Sequence, residues 1–100
     1  MKYKLTLDAE NDLTLIAQYT YDNWGNKQVV SYLKGLQEMI EMFSEGLFSG
    51  REQPDIDAKA FSFSYASHIV YYLIEDDIMI VFGVLHKSMV PQNHLGNRDF

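Results

Sequence analysis

Three histidines and four cationic side chains are the groups in this 100-residue sequence that could carry out acid–base chemistry. They are His68, His86, His94, Arg51, Lys59, Lys87 and Arg98. Histidine can move protons near neutral pH and cations can hold a phosphate, so these residue types could together cleave a phosphodiester. Such a site needs several cations, but the chain has 8 Lys and Arg against 14 Asp and Glu. The net charge of −6 therefore argues against a nuclease, and against nucleic-acid binding as the main activity.

Metal and thiol chemistry are also disfavoured. The sequence has no cysteine, which excludes a disulfide scaffold, a thiolate zinc site and a cysteine nucleophile. A metal site built from the three histidines would need ligands to converge from separate segments, because no two histidines are four residues apart. We therefore expect no metal and no cofactor. The absence of cysteine in so small a domain favours the cytoplasm, and the apolar stretch 78–85 is too short to span a bilayer.

The first half of the chain predicts an antiparallel helical hairpin over residues 8–45, preceded by a short strand at 4–7. Asp8 is a suitable N-cap for the first helix and Asn26 for the second, with Gly25 and Gly46 as stops. Apolar and small residues recur at spacings of three and four. The two stripes are Ala9, Leu13, Ile16, Ala17 and Thr20, then Val29, Tyr32, Leu33, Leu36, Ile40 and Phe43. Gly35 inside the second helix suggests close approach of another backbone.

The second half predicts an antiparallel meander of three strands over residues 60–85. Segment 60–65 alternates aromatic and serine residues, whereas 69–74 and 78–85 are apolar runs typical of central strands. Turns are expected at 66–68 and at the acidic segment 75–77. Residues 86–100 form a tail. The fold class is α+β, with residues 1–100 as one domain whose helical hairpin packs on a small, mostly antiparallel sheet.

Several short segments, taken as a set, resemble the ParE toxins of plasmid-stabilisation modules, within the RelE/ParE superfamily. They are Asp12-Leu13-Thr14-Leu15-Ile16, Trp24-Gly25, Gly50-Arg51, Ser67-His68-Ile69-Val70-Tyr71-Tyr72 and Leu85-His86-Lys87-Ser88-Met89. The resemblance runs from Lys4 to about Leu95 and implies a RelE/ParE-like fold that agrees with the elements above.

The resemblance further implies the toxin of a type II toxin–antitoxin system. Such a toxin inhibits DNA gyrase by direct binding, without catalysis, and is neutralised by a cognate, ParD-like antitoxin. Two alternatives stay open: a ribosome-dependent mRNA endoribonuclease of the RelE type, and a non-toxic homologue that only binds its antitoxin. No membrane association and no sequence-specific nucleic-acid binding are expected.

Two surfaces are predicted from the residues. The excess of flexible apolar side chains near the end of the second helix suggests an antitoxin-binding groove, formed by Met39, Met42, Phe43, Leu47 and Phe48. The least acidic part of the chain and the loop arginine suggest target contacts, at Arg51, His86, Lys87, Met89, His94 and Arg98. Removing residues 92–100 is expected to abolish toxicity and leave antitoxin binding intact. Trp24 is expected to fill the core rather than contact a partner, and His68 to fix a turn.

Overall fold

The computed structural model describes residues 2–100 and contains a five-stranded sheet with a helical hairpin on one face. In chain order the elements are β1 (Lys2–Leu5), α1 (Leu7–Trp24), α2 (Asn26–Ser44), β2 (Arg51–Glu52), β3 (Phe61–Tyr65), β4 (His68–Glu75), β5 (Ile78–His86) and α3 (Pro91–Leu95). The strand order is β1-β5-β4-β3-β2, with β1 parallel to β5 and the other pairs antiparallel. The predicted α+β class, helical hairpin and three-strand meander are confirmed.

The helical hairpin is set by a threonine cap and one glycine. The Thr6 hydroxyl accepts a 3.2 Å hydrogen bond from the Ala9 N–H, so α1 starts before Asp8, and the prediction of Asp8 as the cap is wrong. Gly25 has a φ of 88° and joins the two helices directly; Asn26 is therefore the first residue of α2 and not its cap. Among residues 2–100, no helix has the length and apolar content needed to cross a membrane.

The hairpin turns between strands use left-handed backbone conformations. Asp76 and Asp77 have φ values of 52° and 62°, as a two-residue turn matched to strand twist requires. Ala66 has a φ of 48° at the preceding turn, after which His68 already belongs to β4. The register pairs His68 with Tyr65 on one side and with His86 on the other.

Both faces of the sheet are covered. The helix-side core contains Ala9, Ile16, Leu36, Ile40, Phe63, Val70, Tyr72, Met79, Val81 and Val84. The opposite core contains Ala60, Tyr71, Leu73, Ile80, Phe82, Leu85 and Leu95. Leu95 is 3% exposed, and the Phe100 ring stacks on Phe82 at 4.1 Å. The C-terminal segment is therefore part of the fold and packs on the second face of the sheet.

Gly35 has a different neighbour from the one predicted. A Cβ at this position would clash with the hydroxyl of Tyr65. The glycine therefore leaves room for the side chain of Tyr65 and not for another backbone. The Tyr65 ring packs edge-on against Tyr32 at 5.2 Å, which fixes the β3–β4 turn against α2.

Candidate functional site

An open groove between α1 and the end of β5 brings together four of the six predicted target-binding residues. Its cavity has a volume of about 550 Å³. It is lined by Asp12, Leu15, Ile16, Tyr19, Val84, Leu85, His86, Ser88, Met89, His94 and Arg98. We call this feature the α1–β5 groove. Of the remaining two predicted residues, Lys87 follows β5 and is exposed, and Arg51 lies on β2, at the edge of the sheet.

The floor of the α1–β5 groove holds a nearly buried ion pair. Arg98 donates to both carboxylate oxygens of Asp12, over 2.6 Å and 2.9 Å, and the two side chains are 13% and 9% exposed. The Val84 N–H also donates to Asp12, and Arg98 donates to the Phe82 carbonyl at 3.1 Å. The hydrogen bond to Asp12 raises the pKa of Arg98, against the effect of burial.

This pair completes the edge of β5. The Thr6 N–H donates to the Val81 carbonyl, and β1 ends at Leu5, so the backbone of β5 beyond Val81 has no neighbouring strand on that side. The side chains of Asp12 and Arg98 supply the missing hydrogen bonds there. The sequence predicts that Arg98, as a cation of the tail, contacts a target. The structure instead places its guanidinium inside the fold, where Asp12 neutralises it.

Two histidines lie side by side at the end of the groove. The rings of His68 and His86 are 5.4 Å apart and nearly perpendicular, at 86°. The Tyr32 hydroxyl is 2.7 Å from Nδ1 of His68. Nδ1 of His86 accepts from the Ser88 backbone N–H at 3.1 Å. Because a backbone N–H can only donate, the neutral His86 ring carries its proton on Nε2.

The histidine pair belongs to a smaller cavity of about 320 Å³ that shares Ile16, Tyr19 and His86 with the α1–β5 groove. The other lining residues are Thr20, Trp24, Gln28, Tyr32, Ser67 and His68. We call it the histidine cavity. Burial lowers the pKa of His68, and the neighbouring His86 lowers it further. The residues that line this cavity include His68 and His86 but no Lys or Arg, so the two histidines lack the cations that a nuclease site would need.

His94 does not join the histidine pair. It lines the α1–β5 groove but not the histidine cavity. Within residues 2–100, no three His, Asp or Glu side chains are grouped so that they could hold a metal ion.

Trp24 is exposed, which corrects the expectation that it fills the core. Its exposed fraction is 74%. The buried residues of α1 are Ala9, Asp12 and Ile16, so the last two turns of this helix carry Trp24 past the sheet. Amphipathic spacing predicts which face of a helix is buried, but not where along its length the sheet ends.

The five residues predicted for an antitoxin groove divide into two groups. Phe43 stacks on Phe63 at 3.9 Å, and Met39 packs against the helix-side core. Met42, Leu47 and Phe48 are 40%, 63% and 52% exposed. We call these three exposed residues the α2-end patch.

Two exposed apolar residues of the α1–β5 groove were not singled out from the sequence. Leu15 and Tyr19 are 69% and 58% exposed and line the groove from α1. The sequence does contain a pattern that points to them, because they are four residues apart on α1 and lie outside its buried stripe. A second apolar stripe on an amphipathic helix is the pattern that would have revealed them.

Comparisons with known proteins agree with this architecture. The family model described as "ParE toxin of type II toxin-antitoxin system, parDE" matches residues 3–91. The proteins called Toxin ParE1 in two strains of Mycobacterium tuberculosis, CDC 1551 / Oshkosh and ATCC 25618 / H37Rv, are 33% identical over 95 residues. The match covers 94% of this chain and 97% of theirs.

A solved structure described as "Chromosomal ParDE TA system from P. aeruginosa" superposes with a TM-score of 0.72. The sequence identity is 14%, and the match covers 86% of this chain and 95% of that one, so this likeness supports the fold alone. The family model and the curated relatives extend over nearly the whole chain, from β1 to the start of α3 in the case of the family model. The chain belongs to the ParE toxin family of type II toxin–antitoxin systems.

Proposed function

We propose that this ParE toxin inhibits DNA gyrase by direct binding, without catalysis, and that a cognate antitoxin neutralises it. The observation that carries the proposal is the meeting of His86, Met89 and His94 in the α1–β5 groove. The sequence predicts target contacts for these same residues. Their place in one groove beside exposed apolar groups supports a continuous surface for target contact. A gyrase-directed toxin would act in the cytoplasm.

The composition of the groove suits a protein partner. Leu15, Tyr19 and Met89 are 69%, 58% and 44% exposed, and aromatic and methionine side chains are enriched where protein interfaces are buried. The internal pairing of Asp12 with Arg98 leaves the floor without a free charge, which lowers the desolvation cost of covering it.

The histidine cavity supports the ribonuclease alternative only in part. His68 and His86 are adjacent, as an acid–base pair would be. Phosphodiester cleavage also needs cations at the developing negative charge, and the side chains that line this cavity include no Lys or Arg. We therefore favour a binding mechanism over RNA cleavage.

For the antitoxin, we propose that an amphipathic segment covers the α2-end patch. Met42, Leu47 and Phe48 expose large apolar surfaces on one end of the molecule, beside the packed ring of Phe43. Exposed apolar patches mark interaction sites. The purified toxin is expected to be poorly soluble alone and to become soluble on co-expression with its antitoxin.

The experiment compares a groove variant with a matched surface variant. Tyr19→Ala/Met89→Ala removes two exposed groove side chains, and Tyr21→Ala/Val30→Ala removes two exposed side chains that line neither cavity. Inhibition of gyrase supercoiling and accumulation of cleaved DNA are measured with purified proteins. We expect the groove variant to lose inhibition by about tenfold or more and the control to retain it.

One other outcome contradicts the proposed target surface, and two contradict the proposed function. Equal inhibition by wild type and groove variant would move the target surface elsewhere. Cut mRNA and a fall in translation, with gyrase unaffected, would establish the ribonuclease alternative. No effect on growth when the toxin is induced alone would point to a homologue that only binds its antitoxin.

A further inference from the structure

Strand β1 has one unpaired edge. The Thr6 N–H donates to the Val81 carbonyl at 2.9 Å, and strand residues direct their N–H and C=O groups to alternate sides. The backbones of Lys2 and Lys4 therefore face β5, and those of Tyr3 and Leu5 face away from it. Within residues 2–100, β5 is the one strand that pairs with β1, so these outward groups are free.

The two faces of this edge differ in chemistry. The side chains of Tyr3 and Leu5 point to the helix side and line a cavity of about 370 Å³. The cavity is completed by Leu13, Leu33, Leu36, Gln37 and Ile40, and we call it the β1 cavity. Lys2 and Lys4 are exposed on the other face, and neither forms an ion pair among the residues described.

We infer that β1 is the docking site for an extended segment of the antitoxin, which adds a strand to the sheet and whose side chains alternate between apolar and acidic. This inference rests on the proposed function. The free groups of Tyr3 and Leu5 supply main-chain hydrogen bonds, as in other cases of strand addition. The apolar side chains of the added strand enter the β1 cavity, and the acidic ones meet Lys2 and Lys4.

The charge of the β1 edge favours an acidic antitoxin segment over a second copy of the chain as the binding partner. Pairing two β1 edges would place Lys2 and Lys4 of one copy near the same lysines of the other, and lysines at a sheet edge oppose such self-association. The chain has a net charge of −6, so most of its surface repels an acidic segment. Lys2 and Lys4 provide a local positive charge at which such a segment can bind. The opposite edge is less suitable, because β2 has only two residues.

The direct test is amide hydrogen exchange by NMR on the free toxin and on the complex with co-expressed antitoxin. The amides of Tyr3 and Leu5 are expected to exchange at least about tenfold more slowly in the complex. The Lys4 amide already faces β5 and should change less. If the complex forms and Tyr3 and Leu5 exchange as in the free toxin, the edge site is wrong and the proposed function stands. If no complex forms, both fail.

A charge test uses two variants with the same change in net charge. Lys2→Glu/Lys4→Glu should weaken antitoxin binding by about tenfold, whereas Lys27→Glu/Lys59→Glu should bind as the wild type does. All four lysines are exposed, and circular dichroism checks that both variants are folded. Equal affinities for the two variants would overturn the inference. A free toxin that dimerises by light scattering, and whose Tyr3 and Leu5 amides become protected with concentration, would also overturn it.

Discussion

Arg98 is joined to Asp12 by two hydrogen bonds, of 2.6 Å and 2.9 Å, across 86 positions of the sequence. The pair ties the end of the chain to the first helix and completes the hydrogen bonds at the end of β5. Gly83 allows this approach, because a Cβ there would lie 2.7 Å from Leu95 Cδ2 and 3.2 Å from the Arg98 guanidinium. The C-terminal segment is therefore held in place by the ion pair and by the packing of Leu95. The absence of a side chain at Gly83 leaves room for both.

Loss of either member of this ion pair is expected to destabilise the fold. Asp12→Ala or Arg98→Ala leaves the other charge nearly buried and unpaired, which costs about 3 kcal/mol in free energy of unfolding. The double variant should cost less than the sum of the two, because it removes both charges. Urea unfolding measures each value. Asp22→Ala is the control, since its bond to Gln18 is exposed, and single-variant losses below about 1 kcal/mol would contradict the structural role.

Removal of residues 92–100 is expected to lower stability and not only toxicity. The truncation exposes one sheet face by deleting Leu95, Arg98 and Phe100. The truncated toxin should unfold at a lower temperature and accumulate poorly even with its antitoxin. Gln92→Ala/Asn93→Ala serves as the control, because both side chains are exposed. A truncated chain with unchanged thermal unfolding would restore the sequence-based expectation that this segment acts only on the target.

Local sequence patterns were sufficient for the elements that rely on near neighbours. The two helices follow from their apolar stripes, and β3, β4 and β5 follow from alternation, apolar runs and turn residues. The cap was misplaced because Thr6 and Asp8 are two residues apart and both suit the position.

Contacts between distant segments could not be predicted in this way. Strand β2 has two residues and exists through the pairing of Arg51 with Ser62 and of Glu52 with Phe61. The parallel pairing of β1 with β5 has no local signal either. The sequence around Arg98 does not indicate that this cation pairs with Asp12, 86 positions away. The members of the candidate groove could be selected by type, but their meeting in space depended on such contacts.

Trp24→Ala is expected to separate binding from stability. With 74% of its surface exposed, the side chain adds little to the fold, so the free energy of unfolding should change by less than about 0.5 kcal/mol. We expect the target surface to extend from the α1–β5 groove into the adjoining histidine cavity, which Trp24 lines, so loss of this side chain should weaken target binding by about 2 kcal/mol. Ile16→Ala, at 8% exposed on the same helix, should instead cost about 3 kcal/mol of stability. A stability loss comparable with that of Ile16→Ala would return Trp24 to the core.

His68 is expected to make the fold sensitive to mild acid. Burial lowers the pKa of its imidazole below the ordinary value of 6.5, and His86 lowers it further. The unfolded chain therefore takes up this proton at a higher pH than the folded chain does. Stability from this residue is complete above about pH 6.5 and is lost as the pH falls from there through the lower folded pKa. The loss cannot exceed about 1.4 kcal/mol per pH unit for one proton.

Urea unfolding of the wild type and of His68→Gln between about pH 5 and pH 7 isolates this contribution, because most carboxylates titrate lower. The variant should show a shallower fall in the free energy of unfolding towards acid. His94→Gln is the control, since His94 is exposed and outside the histidine cavity. If His68→Gln and the wild type lose stability in parallel over this range, the half-buried imidazole does not carry the acid sensitivity. The ring contacts with Tyr32 and His86 would then contribute packing alone.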